Sequence, residues 1–157
     1  MIEKLNVSFL PTEEDYVNMC LERQKYITPK ENIIIFLITG IIGILSGTAG
    51  MIYRSSYMSE TICWLLLIVS GLFVISYYDI IKPFIVYNAA SKLYRYHEKD
   101  INSKTVNITE DTVTVNDELH KISIPRKNIY DIYEGRKTLF VFLDKEEFIY
   151  IPKRVIG

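Results

Sequence analysis

Residues 33–53 read IIIFLITGIIGILSGTAGMIY, 21 residues without a charge, and residues 61–78 read TICWLLLIVSGLFVISYY, a second uncharged run of 18. At about 1.5 Å per helical residue the first reaches roughly 31 Å and the second about 27 Å, so each suits the hydrocarbon core of a bilayer. Glu31 and Arg54 bound the first run, Glu60 and Asp79 the second, which leaves the charges where water or headgroups receive them. Trp64 and the pairs Tyr53/Tyr57 and Tyr77/Tyr78 lie near the span ends, as interfacial aromatics do. The competing reading, a buried hairpin in a soluble core, calls for the polar stripe that such helices keep. A signal peptide does not fit either, because the first run starts 32 residues in, behind a charged stretch, and exceeds a signal h-region.

The connector, residues 54–60, has seven residues and is too short to fold alone, so the spans form an antiparallel hairpin with both chain ends on one side. Near the spans that side carries Arg23, Lys25, Lys30, Lys82, Lys92 and Arg95, whereas the connector carries only Arg54. Lys and Arg resist translocation, so both termini are expected in the cytoplasm. Gly40, Gly43, Gly47 and Gly50 recur along one face of the first span and include a GxxxG, a groove that lets another backbone approach closely. The tethered second span, with Ser70-Gly71, is the expected occupant, and a homo-oligomer through the same face is the alternative. Neither span holds an ionisable side chain, which disfavours a transporter or channel.

Outward from the spans the chain is mixed. Eighteen Lys and Arg against 19 Asp and Glu give a net charge of -1, so no basic field exists to gather nucleic acid. Residues 2–10 suit a short strand stopped by Pro11. Thr12 then caps a helix to about Tyr26, with Asp15 in the capping-box position and Tyr16, Met19, Cys20 and Ile27 on one side. Lys82-Pro83 marks a kink or break, followed by a helical stalk with Phe84, Tyr87, Ala90, Leu93 and Tyr94 inward. Residues 104–151 switch to a two-residue period and read as one antiparallel meander of five or six strands, with turns at Glu110-Asp111, Asn116-Asp117, Gly135-Arg136 and Asp144-Lys145. The last hairpin is apolar on both faces: Leu139, Val141, Leu143, Ile149 and Ile151 on one, Phe140, Phe142, Phe148 and Tyr150 on the other. Both need cover. The N-terminal strand and helix, a second copy or a ligand could supply it.

The expected organisation is therefore 1–31 strand and amphipathic helix, 32–53 first span, 54–60 external loop, 61–79 second span, 80–103 stalk and 104–157 β domain. In this order of parts the chain resembles the YcxB-like family of small bacterial membrane proteins. The resemblance rests on Thr12-Glu13-Glu14-Asp15-Tyr16, two close spans, Ile129-Tyr130-Asp131-Ile132-Tyr133-Glu134 and Ile151-Pro152-Lys153-Arg154. It implies an α+β membrane protein: a two-helix transmembrane hairpin in the inner membrane plus a small cytoplasmic β-meander, pleckstrin-homology-like, without established enzymatic activity. Members of that family commonly continue past the IPKR motif into a helix that closes the sheet. This chain stops at Val155-Ile156-Gly157, so either it is truncated or another element fills that place, the N-terminal helix being the candidate.

Two echoing motifs, Ile124-Pro125-Arg126-Lys127 and Ile151-Pro152-Lys153-Arg154, each put two bases after a strand-ending Pro. Arg126, Lys127, Lys153 and Arg154 are the candidate surface for anionic headgroups of membrane lipid or for a protein partner, although residues 104–157 balance nine bases with nine acids. His97 and His120 have no Cys or His at metal-ligand spacing, and Cys20 and Cys63 fall on opposite sides of the expected membrane. No nucleophile elbow, phosphate loop or metal-binding helix motif is present, so no catalytic residue, metal or cofactor is expected. The expected function is a membrane-anchored, non-enzymatic interaction or regulatory module that needs no nucleic acid. The rival is self-immunity or resistance against a membrane-active peptide, which an adjacent bacteriocin gene would favour.

Overall fold

The computed structural model describes residues 4–54, 57–117 and 121–156. Ser55 and Ser56 of the connector, His120 and Gly157 lie outside them. The chain divides into two compact units, Gln24–Val86 and a second made of Met1–Arg23 with Tyr87–Gly157.

In the first unit α2 (Lys30–Arg54) packs antiparallel to α3 (Met58–Ser76). The glycine face decides how close they come. A Cβ added at Gly71 would stand 2.7 Å from the Gly40 carbonyl oxygen, and one at Gly47 would stand 2.9 Å from that of Trp64. Gly50 lies against the Trp64 indole itself, whereas a Cβ at Gly43 would meet Gly71 Cα at an ordinary 3.5 Å. All four expected glycines thus face α3, and the hairpin partner takes the groove. Hydroxyls of Thr39, Thr48 and Ser70 donate to carbonyls one turn back, which satisfies them within their own helices. Both helices are long and apolar enough to cross a membrane, and only 11% and 6% of their most apolar windows are buried. A soluble core helix hides such a face.

Proline does not break the second helix. Between α3 and α4 (Lys82–His97) the chain makes a π turn, Tyr77–Ile81, and continues helically through Pro83. A proline ring clashes with the carbonyl four residues back and supplies no N–H, and one wider turn relieves both. Phe36 packs its ring on Tyr77 and Tyr78 there, at 5.5 and 5.0 Å. The stalk's inward face is narrower than expected. Ala90 is buried and Tyr94 half-buried, but Phe84, Tyr87 and Leu93 are exposed.

In the second unit the expected single meander is two sheets. β1 (Leu5–Phe9), β2 (Lys104–Ile108), β3 (Thr112–Asp117) and β4 (Lys121–Pro125) form one in that order, all antiparallel. β5 (Asp131–Glu134), β6 (Thr138–Phe142) and β7 (Phe148–Pro152) form the other. The division falls at Pro125, which ends the ladder by lacking an N–H. A 3-10 turn at Arg126–Asn128 follows, held by the Arg126 amide donating to Asp111 O at 2.7 Å. The inner faces of both sheets meet in one core of Val7, Phe9, Val106, Ile108, Val113, Leu139, Val141 and Ile151.

Candidate functional site

The second face of the last hairpin is covered by α1 (Glu13–Ile27). Thr12 and Asp15 start this helix by a reciprocal capping box: the Asp15 amide donates to Thr12 Oγ1 at 3.2 Å and the Thr12 amide to Asp15 Oδ2 at 2.9 Å. Phe140 and Phe142 are completely buried, stacked at 5.9 Å and joined by Phe148 at 5.7 and 5.8 Å. Arg23 of α1 lies over the Phe148 ring at 4.5 Å and donates to Glu146 O at 3.1 Å.

Carboxylates on α1 do the remaining fastening. Glu22 accepts from the Lys137 and Thr138 amides at 2.7 and 3.0 Å, an approach open because Gly135 has no Cβ to strike it. Asp15 is 6% exposed and receives Arg154 Nε at 2.9 Å, while Arg154 Nη2 also reaches Leu10 O at 3.0 Å. Burial works to raise the Asp15 pKa, but the bonds from Arg154 and Thr12 outweigh it and hold the carboxyl below its ordinary value. Glu13 bonds to Ser91 and Arg95, and Glu14 to Lys137. Burial pushes the Cys20 thiol and the Tyr150 hydroxyl upward, so both stay neutral.

The four expected bases do not form one free cluster. Arg154 is spent on Asp15, and Lys153 donates to Glu134 at 2.7 Å. Arg126 lines a cavity of 240 Å³ together with Glu134, the carboxylate that Lys153 pairs with. Lys127 is exposed. With two of its four bases already paired, the set offers an anionic surface less than its count suggests. His97 sits at the surface 3.6 Å from Asp100, and no cluster of three metal-ligating side chains occurs among the described residues.

A mostly apolar cleft of 510 Å³ lies open beside α1. Its walls are Met19 of α1, Val115, Ile122 and Ile124 of β3 and β4, and Phe148 and Tyr150 of β7. Lys104, Glu146 and Glu147 supply the charge at its edge. Neither the Asp15–Arg154 pair nor this cleft was legible beforehand. Asp15 reads as a capping residue alone, and Ile122 and Ile124 read as ordinary alternation. Only the separation of the two sheets turns them into a wall. Comparison with protein-family models, curated proteins and solved structures finds no match to this chain.

Proposed function

We propose that this protein is a two-span inner-membrane protein whose sheet-and-helix unit is a cytoplasmic, pleckstrin-homology-like interaction module of the YcxB-like kind, without catalytic activity. The cleft carries the reading. An apolar recess of this size, flanked by few polar groups, is the form that binding sites take. Anchoring supports it, because a tether raises the local concentration of the module near other membrane components and makes weak contacts sufficient. The aliphatic exteriors of α2 and α3 supply the anchor: Ile42, Leu45, Leu66 and Phe73 each expose more than half of their surface. Lipid satisfies that surface where water would not.

Two measurements test the reading. Reporters fused at either end should be active in the cytoplasm only, and the protein should stay in the membrane fraction at alkaline pH. A photoreactive side chain at Ile122, which is 54% exposed, should give adducts heavier than the monomer in living cells. Periplasmic reporter activity, or recovery of nothing but the uncrosslinked chain, overturns it.

A further inference from the structure

Resting on the interaction-module reading, the geometry points to the chemistry of the partner: we propose that the cleft receives an extended segment of another protein in which aliphatic and basic side chains alternate. Three observations converge on it. The recess is walled by Ile122, Ile124, Val115 and Phe148, so it takes aliphatic side chains. It lies between β4 and β7, each the last strand of its sheet, so an extended backbone can run beside a sheet edge and pair with it. The third is charge. Glu13, Glu14, Asp15, Glu22 and Glu134 are each committed to a cation or to backbone amides. Glu146 and Glu147 are not: among the described residues their carboxylates make no hydrogen bond or ion pair. The turn that carries them is ordered, because their backbone amides donate to Asp144 Oδ1 at 2.6 and 2.7 Å. Of the bases nearby, Lys104 turns its ammonium to the Tyr150 ring at 5.6 Å, and Arg23 gives its guanidinium to the Phe148 ring and to Glu146 O rather than to either carboxylate. Two carboxylates carried on an ordered turn beside an apolar recess suit a basic segment, and they repel the anionic headgroups of a membrane.

The test uses the full chain in nanodiscs of zwitterionic lipid and fluorescein-labelled peptides of about ten residues, read by polarisation against empty discs. A Leu-Lys alternating peptide should bind, and Leu-Glu and Ser-Lys peptides should not. Replacing Glu146→Lys and Glu147→Lys together should weaken Leu-Lys binding by about tenfold at low salt and by less at high salt. Ile122→Asp, at a half-exposed position, should weaken it at any salt. Circular dichroism of each variant checks that it is folded. Equal binding of Leu-Glu overturns the basic partner and equal binding of Ser-Lys overturns the aliphatic one, while adducts at Ile122 in cells would leave the interaction module standing. No binding by any peptide together with no adduct at Ile122 overturns both.

Discussion

Each of the two units is held together internally, and by opposite means. Between α2 and α3 the contact is backbone against backbone, won by leaving side chains out: Gly40, Gly47 and Gly71 admit no added carbon without displacing a neighbour. In the sheets and α1 the contact is side chain against side chain, and charged groups around it pair, Asp15 with Arg154, Glu134 with Lys153 and Glu14 with Lys137. With the hairpin in a bilayer, as proposed, the difference follows from solvent. Where lipid is as apolar as leucine, burying leucine gains little, and close approach supplies dispersion instead. In water the apolar area removed from solvent is the main term.

That contrast can be broken, and the largest effect belongs to the aqueous unit. Phe140→Ala empties a site with no exposed surface and should cost about 3–5 kcal/mol, seen as amide exchange in Thr138–Phe142 faster by more than a hundredfold. In the hairpin the harmful change is an addition. Gly71→Ala places a carbon against the Gly40 carbonyl and should cost about 1–3 kcal/mol, whereas Gly43→Ala should be nearly neutral. Trp64, the single tryptophan of the chain and part of this interface, reports both in detergent titrations.

Next comes the latch on α1. Asp15→Asn should cost about 1–2 kcal/mol at neutral pH, a figure moderated because Arg154 is half exposed. The Asp15 pKa is depressed in the folded chain, so the stability it adds is fully present above its unfolded value, near pH 4, and is lost as pH falls through the folded value. The gap between wild type and Asp15→Asn in denaturant midpoint should therefore close under acid. Arg154→Ser should reproduce the loss, and Lys127→Ser, at an exposed position, should not. The smallest effect is Lys137→Ala. It removes a solvent-exposed pair with Glu14, and the midpoint should stay where it was.

Much of this was readable in the chain and some was not. Pattern alone indicated the hairpin, the glycine face, the Thr12 cap, the turns at Glu110-Asp111, Gly135-Arg136 and Asp144-Lys145, and the two apolar faces of the last hairpin. Each depends on residues near one another in sequence. Pattern left Pro83 as a kink or a break, and the break does not occur, because a π turn upstream absorbs a proline that would break a regular helix. It misjudged Phe84, Tyr87 and Leu93, because helical periodicity marks a face without saying whether anything packs on it. Arg154 and Lys153 read as free charge, since their partners Asp15 and Glu134 sit 139 and 19 residues away.

What the sequence determined by itself is the division of this protein into a charge-free hairpin and an alternating, charged remainder, because solvent preference and repeat period are local properties of a chain. What only the tertiary structure decided is the split of the meander into two sheets at Pro125, the pairing of Asp15 with Arg154, and the cleft left between β4 and β7. These depend on which distant surfaces meet, and no local pattern records that.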